Sequence, residues 1–380
     1  MMKKLFFILY PFALLSLTIF SYFFIDSNLT YLKDFYSGFA YKHRYSATFF
    51  YLLILLIFFT LYILLLKLIS KKKIDFKDLR YLIFITIALL LFSYPAMLSF
   101  DIFNYISTSK VLFFYYENPY IIMPIEFAGD PLLSFTHASN KIALYGPSWI
   151  LISAIPYFTG FGNFIVTLFS FKLFVSMFYL GTVFLIWKIS KNLVYVSFFA
   201  FNPLVIIETL LSGHNDIVMM FFSLFSFYLL MKKKIIIPAF IFFIFSIFIK
   251  YSVIFLFPIF IYIILKTIRK QPIDWKNIFY FSFLLMAGAF ILSPIREEIY
   301  PWYAIWFLPF ISIVFQKRTL VYISVALSFG LLLRYVPFML FGTHFGVTPF
   351  LKISVTLTPV FFVLIYVFLR DKLWLKIFSR

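Results

Sequence analysis

The sequence predicts an all-α, polytopic membrane protein that forms a single membrane domain over residues 1–380. Hydrophobic residues make up 64% of the chain and charged residues only 12%, whereas about half apolar content is already usual for a soluble domain. The hydrophobic residues also recur in runs of roughly 17–22 residues, the length at which a helix crosses about 30 Å of hydrocarbon. No internal repeat or flexible linker divides the chain, so we expect one domain.

The apolar runs predict about twelve transmembrane helices. They lie at 5–24, 48–69, 81–98, 163–187, 193–211, 216–231, 235–249, 251–265, 278–293, 303–315, 320–334 and 349–369. The first run has the basic start of a signal peptide, but its apolar stretch is longer and no small-residue cleavage site follows. We therefore interpret it as an uncleaved helix. Several later runs are short, which leaves tilted, merged or re-entrant helices open for them.

Basic clusters separate these runs and predict the orientation of the chain. They fall at 1–4, 71–80, 187–191, 232–234, 266–270, 316–318 and 370–376. If the runs alternate across the membrane, all seven clusters share one side, which the positive-inside rule makes cytoplasmic together with both termini. We expect a multi-pass protein of the cytoplasmic membrane. The net charge of +19 is then topological, and we expect no nucleic-acid partner.

The predicted extracytoplasmic side carries the longest loop, 99–162. Loops of more than about 15 residues usually serve a function. Within it, 102–117 and 148–158 are apolar or amphipathic pieces that are too short to span, so we predict interfacial helices. The chain has no cysteine and its four histidines lack metal-ligand spacing. We therefore expect neither a cofactor nor a metal site, with a divalent ion between carboxylates as the open alternative.

Three acids stand at the ends of apolar runs on that side, Asp101, Glu208 and Asp216. Ionisable residues at membrane depth are costly and usually face a polar cavity. Asp101 follows "SYPAMLSF" and is either a catalytic carboxylate or simply the first residue of an interfacial helix. Asp216, in "SGHNDIVMM", belongs to a polar site or caps the helix that follows.

Three cations from different segments are expected on the same side, Lys250, Arg296 and Arg334. We hypothesise that one or two of them bind a lipid phosphate, because arginine in particular can hold phosphate through two parallel hydrogen bonds. The alternative is that each cation snorkels to water from the end of its helix.

Five motifs occur in an order that is specific when taken together. They are "PAMLSFDIFNYISTSKVLFFYYENPY", "ALYGPSW", "FNPLVIIETLLSGHNDIVMM", "IFIKYSVI" and "PWYAIWFLP". This series, over roughly residues 93–309, resembles the bacterial polyprenol-phosphate-mannose-dependent α-mannosyltransferases. The resemblance implies a GT-C fold and an active site on the extracytoplasmic side, with Asp101 as the catalytic carboxylate. Phe103 stands where that family usually has an aromatic hydroxyl, and the glycine before "NPY" is missing, which leaves the sugar and the acceptor open.

The resemblance also implies a reaction. A sugar, mannose by this resemblance, would move with inversion from a polyprenyl-phosphate donor to a glycan or lipid-linked acceptor. Asp101 would act as the base, while Lys250, Arg334 and Arg296 would hold the donor phosphate. The residues expected to bind the sugar or acceptor are Glu208, His214, Asn215, Asp216, Tyr145, Trp302 and Tyr303. The aromatic residues among them, with Trp149 and Trp306, would stack on sugar faces or form the interfacial aromatic belt.

Two other functions remain compatible with the sequence. A transporter or flippase for lipid or sugar would also have many spans and charged groups near the membrane face. Transporters usually show repeats and broken helices that meet at mid-depth, whereas these acids cluster at one face and no repeat is evident. The second alternative keeps the same enzyme fold and changes the sugar carried by the lipid phosphate.

Overall fold

The fold is helical throughout. The computed structural model describes residues 2–232, 235–295 and 298–378; helices account for 76% of the structure, and the described residues include no strand. The predicted all-α class is confirmed. Helices suit so apolar a chain because every backbone N–H and C=O group must find a partner within the protein where lipid surrounds it.

Eighteen α-helices occupy the described residues. The first nine are α1 (Met2–Ser21), α2 (Phe39–Lys42), α3 (Arg44–Ser70), α4 (Phe76–Leu91), α5 (Asp101–Phe113), α6 (Pro147–Ile152), α7 (Ala154–Phe158), α8 (Phe164–Ser190) and α9 (Leu193–Ala200). The others are α10 (Pro203–Val205), α11 (Asp216–Lys232), α12 (Ile236–Ile247), α13 (Phe257–Ile268), α14 (Trp275–Leu292), α15 (Leu308–Ile313), α16 (Arg318–Leu333), α17 (Val336–Phe341) and α18 (Thr348–Phe378). Short 3₁₀ turns and one π-helical turn, Ile206–Leu211, join several of them.

Seven helices of the described chain are long and apolar enough to cross a membrane, and the bent pair Leu193–Ala200 and Pro203–Leu211 makes eight if it counts as one broken span. The protein is therefore a multi-pass membrane protein. The prediction of about twelve spans is not confirmed, because the runs 81–98, 216–231, 235–249 and 303–315 form helices shorter than 18 residues. The orientation in the membrane stays a prediction.

The helix that precedes Asp101 ends at a segment shaped by a proline and a buried lysine. The helix α4 ends at Leu91 and Pro95 opens a 3₁₀ turn. The Nζ atom of Lys172, on α8, donates to the Leu90 carbonyl at 2.7 Å and to the Ser93 carbonyl at 2.5 Å. The Leu90 carbonyl is among those that the end of a helix leaves without an intrahelical partner. The chain then turns, and α5 begins at Asp101.

The loop 99–162 contains the helices that the sequence predicts. The piece 102–117 is helical only as far as Phe113, where α5 ends, and the piece 148–158 forms α6 and α7, which meet at Ser153. The Ser153 hydroxyl lies 2.8 Å from the Ser109 hydroxyl of α5, so the two pieces pack together. Their position at the membrane interface stays a prediction.

Candidate active site

Two carboxylates and a histidine meet at one end of the helical bundle. His214 is fully buried, with Nδ1 3.3 Å from Oδ2 of Asp101 and Nε2 3.3 Å from Oε2 of Glu208. These are ion-pair contacts without the alignment of hydrogen bonds. The Asp101 side chain is 26% exposed, whereas that of Glu208 is wholly buried. We call Asp101, Glu208 and His214 the acid–histidine cluster, and Asp101 is the member that reaches open space.

Irregular backbone brings the acid–histidine cluster together. Asp101 is the first residue of α5, and Glu208 lies in the π-helical turn, a feature that is frequent at functional sites. His214 follows Gly213, whose φ of +75° is the left-handed conformation that glycine adopts without strain. The chain then turns back, and the His214 N–H donates to the Glu208 carbonyl at 3.0 Å.

His214 is an imidazolium at neutral pH. Burial alone would lower the pKa of His214, but Asp101 and Glu208 on either side outweigh burial and raise it to about 9. The ring of Trp302 stacks on His214 with 4.0 Å between centroids, and the Tyr335 hydroxyl donates to Glu208 Oε1 at 3.0 Å. The imidazolium, the indole and the phenol thus hold the two carboxylates in place.

A second ion pair lies beside the cluster. Asp216, the first residue of α11, is wholly buried and accepts from Lys250 Nζ at 2.9 and 3.0 Å and from the Trp306 indole at 2.5 Å. The Lys250 ammonium also lies 4.6 Å from the centre of the Tyr303 ring. The Asp216 carboxylate is therefore engaged by Lys250 and Trp306, and the charge of Lys250 is balanced by its partner.

A cavity lined by cations adjoins the cluster. Its volume is about 370 Å³, and its lining residues are Pro294, Glu298, Ile299, Arg334, His344, Pro349, Lys352 and Ile353. Glu298 Oε1 accepts from Arg334 Nη2 at 2.6 Å and from Lys352 Nζ at 3.0 Å. Burial alone would raise the pKa of Glu298, but the two cations outweigh it and lower the pKa. We call this space the cation-lined cavity.

Consecutive residues of the chain connect the cavity with the cluster. Arg334 lines the cavity, and the next residue, Tyr335, binds Glu208. On the other wall, Tyr300 follows the cavity residue Ile299 and stacks on Trp302 with 4.6 Å between centroids. Two pairs of consecutive residues thus join the cavity to the cluster.

Buried polar atoms without a hydrogen-bond partner are concentrated here. Of thirteen such side-chain atoms in the described residues, eight belong to Tyr145, Glu208, Ser212, His214, Asn215 and Arg334. Native proteins rarely leave such groups unsatisfied without a functional reason. Both polar atoms of the Asn215 side chain are among them, so this amide suits a polyhydroxylated ligand.

The structure gathers most of the predicted site residues. Asp101, Glu208 and His214 form the cluster, and Trp302 stacks on it. Asn215 follows His214 in the chain, and Asp216 and Lys250 form the neighbouring ion pair, with Lys250 over the Tyr303 ring. Tyr145 lies against Tyr105, with 4.7 Å between ring centres, and the Tyr105 hydroxyl accepts from the Asn215 N–H. Trp149 is 1% exposed and packs on the same Tyr105, which is the environment of a core residue. The predicted phosphate ligand Arg296 lies outside the described residues.

Sequence reasoning missed five partners. Four are the residues Glu298, Tyr335, His344 and Lys352. The fifth is Trp306 in its role as hydrogen-bond donor to Asp216. One signal was present, because Lys352 is a lone charge inside the apolar run 349–369, and such residues usually mark functional or paired positions. Within the described residues no group of three or more His, Cys, Asp or Glu side chains is arranged to hold a metal ion.

A known protein family matches the part of the chain that contains the acid–histidine cluster. The model of the MptA_B family, described as Alpha-(1->6)-mannopyranosyltransferase, N-terminal domain, matches residues 24–266 of the 380. The chain belongs to the MptA_B family. This mannosyltransferase family is the one that the sequence motifs resemble, so that prediction is confirmed. The matched segment contains the acid–histidine cluster and ends before the Glu298, Arg334 and Lys352 of the cavity. Comparisons with curated proteins and with solved structures returned no match.

Proposed function

We propose that this mannosyltransferase takes its mannosyl group from a polyprenyl-phosphate donor and transfers it, with inversion, to a hydroxyl of a glycan or lipid-linked acceptor. The reaction would take place on the extracytoplasmic side of the cytoplasmic membrane. The observation that carries the proposal is the partly exposed Asp101 carboxylate, held by a buried imidazolium next to a cavity lined by cations.

Asp101 is the general base in this proposal. The carboxylate takes the proton of the acceptor hydroxyl as the acceptor oxygen bonds to the anomeric carbon. The bond from that carbon to the phosphate oxygen breaks, and its electron pair leaves with the phosphate. The phosphate is a stable anion, so no acid is needed at the leaving oxygen. His214 orients Asp101 through the contact between Nδ1 and Oδ2.

Arg334 is the principal ligand of the donor phosphate. Its Nη1 atom is buried without a hydrogen-bond partner, whereas Lys250 is paired through both oxygens of Asp216. A phosphate beside Arg334 would direct the sugar towards Glu208 and Asn215, where unsatisfied polar atoms can accept and donate to its hydroxyl groups. Arg296 stays a predicted further ligand, and no cofactor or metal takes part in this scheme.

Purified enzyme tests the role of Asp101 directly. In detergent, with mannosyl polyprenyl phosphate as donor, Asp101→Asn should reduce transfer by roughly 10²–10⁴-fold, the usual contribution of a general base. Its melting temperature should stay near that of the wild type. Asp34→Asn, which removes an exposed acid elsewhere, is the matched control. Full transfer by Asp101→Asn would remove Asp101 from the mechanism.

A lipid or sugar transporter is the second candidate function. It is favoured by the break between Leu193–Ala200 and Pro203–Leu211, which bends the chain by 49°, because transporters bind their substrates at broken helices. Transport needs a sealed vesicle, whereas sugar transfer does not. Transfer in detergent micelles by the wild type, lost in Asp101→Asn, would decide for the enzyme.

A further inference from the structure

One carboxylate stands between two buried cations in the cation-lined cavity. Arg334 and Lys352 both contact a single oxygen of Glu298, Oε1, at 2.6 and 3.0 Å. The side chains of Arg334 and Lys352 are only 7% and 10% exposed, whereas that of Glu298 is 42% exposed. One negative charge thus faces two positive charges, and the cations are fixed more firmly than the anion.

The cations can make more contacts than Glu298 provides. Arg334 Nη1 is buried without a partner, and leaving a charged donor unsatisfied is costly. The guanidinium is built to hold an anion through two parallel bonds, but Glu298 uses only Nη2. The cavity volume of about 370 Å³ is within the range of small-molecule sites.

We propose that Glu298 occupies the place of a phosphate oxygen in the free enzyme, and that the phosphodiester of a lipid-phosphate sugar displaces it to bind Arg334 and Lys352. This inference rests on the proposed function and adds Lys352 as a phosphate ligand and Glu298 as its internal competitor. All three residues lie outside the segment matched by the family.

Displacement of Glu298 by a phosphodiester conserves the charge of the cavity and requires only a side-chain rotation. A phosphodiester carries one negative charge, as the carboxylate does, so the exchange leaves the charge of the cavity unchanged. Glu298 lies in the non-helical segment before the 3₁₀ turn Pro301–Trp306, whereas Arg334 caps α16 and Lys352 lies near the start of α18. Both contacts of Glu298 use one oxygen, so a single rotation of the side chain towards solvent releases both.

The opposing explanation is that Glu298 is structural and only holds the two cations in position. The two roles predict opposite effects of removing the charge. Without a competitor, a phosphate binds more tightly. Without a structural anchor, the two cations repel each other and a phosphate binds less tightly.

The test measures donor KM, kcat and ligand binding for purified variants in detergent. Farnesyl phosphate is the probe for binding, inorganic phosphate is the probe for a free anion, and farnesol lacks the charge. We expect Glu298→Gln to lower the donor KM and the Kd of farnesyl phosphate roughly tenfold, and Lys352→Gln to raise both by a similar factor. Lys352→Arg, which keeps the positive charge in another geometry, should raise both values less than Lys352→Gln does. Asp34→Asn, at an exposed acid elsewhere, should change neither.

The outcomes separate the two proposals. An unchanged or raised KM and Kd in folded Glu298→Gln would overturn the inference. If that variant does not fold, Glu298→Asp, whose side chain is one methylene shorter, should also lower the donor KM and the Kd of farnesyl phosphate. Absence of transfer by the wild type, with farnesyl phosphate still bound more tightly by Glu298→Gln, would refute the donor and retain the anion site. Inorganic phosphate that binds as tightly as farnesyl phosphate would overturn the assignment to a lipid headgroup.

Discussion

Replacing His214 by glutamine tests the electrostatics of the acid–histidine cluster. The pKa of His214 rises from its ordinary 6.5 to about 9, a difference of about 2.5 pKa units. At about 1.4 kcal/mol for each unit, protonated His214 contributes roughly 3 kcal/mol to the free energy of unfolding. The side chain is fully buried, so solvent screening does not reduce this value much. His214→Gln should lose about this amount at pH 6.5.

The pH dependence of stability follows from the same pKa. The folded protein holds the proton more tightly than the unfolded chain, so the contribution is complete below pH 6.5 and is lost as the pH rises to about 9. The melting temperature of the wild type in detergent should therefore fall by several degrees between pH 6.5 and pH 9. The melting temperature of His214→Gln should not change over the same pH interval.

A matched histidine variant separates the cluster from general effects of pH. His137 is 57% exposed, and burial of its ring lowers the pKa of His137 below the ordinary value, so its titration is centred below pH 6.5. His137→Gln should keep the wild-type slope between pH 6.5 and pH 9. If the melting temperatures of the wild type and of His214→Gln changed equally with pH, His214 would not be an imidazolium paired with Asp101 and Glu208.

Two further perturbations test the elements around the site. Lys250→Met leaves Asp216 buried without its cation and should cost on the order of 3 kcal/mol, measured as a loss of melting temperature. The double variant Lys250→Met/Asp216→Asn should recover part of the loss, and a double variant less stable than either single variant would contradict the pairing. Gly146→Ala should reduce transfer by roughly tenfold or more, because a Cβ on Gly146 would overlap the Phe248 carbonyl and displace the segment that leads to Lys250. Gly288→Ala, where a Cβ meets open space, is the control, and normal transfer by Gly146→Ala would exclude this close approach.

Composition and hydropathy were sufficient to predict the all-α membrane class, but not the number of spans. Hydropathy counts apolar residues, and it does not see where the backbone stops being a continuous helix. The run 81–98 contains Pro95, which opens a 3₁₀ turn, and the run 193–211 bends before Pro203. The run 303–315 likewise forms a 3₁₀ turn followed by a short helix. Each break shortens a helix below the length of a span.

The site shows the same division between what is local in sequence and what is not. Asp101, Glu208 and His214 could be selected as candidates because each is polar beside an apolar run. The contact of Asp101 with His214 could not be derived, since these two residues are more than a hundred positions apart in the chain. Lys352 and Glu298 are 54 residues apart and belong to no motif. Only the folded chain reveals that Lys352 and Arg334 contact the same oxygen of Glu298.

The distribution of charge at this end of the bundle fits the transition state of glycosyl transfer. The acid–histidine cluster holds two carboxylates and one imidazolium, which leaves one negative charge, whereas the cation-lined cavity holds two cations and one carboxylate. In the transition state the sugar ring gains positive charge and the leaving phosphate gains negative charge. A sugar near Asp101 and a phosphate near Arg334 would each face charge of the opposite sign, and groups fixed in advance stabilise such charge most effectively. The neutral pair of Asp216 and Lys250 contributes no net charge to this gradient. The reverse arrangement would place the phosphate beside the carboxylates and the sugar beside the cations, so that like charges meet at both positions.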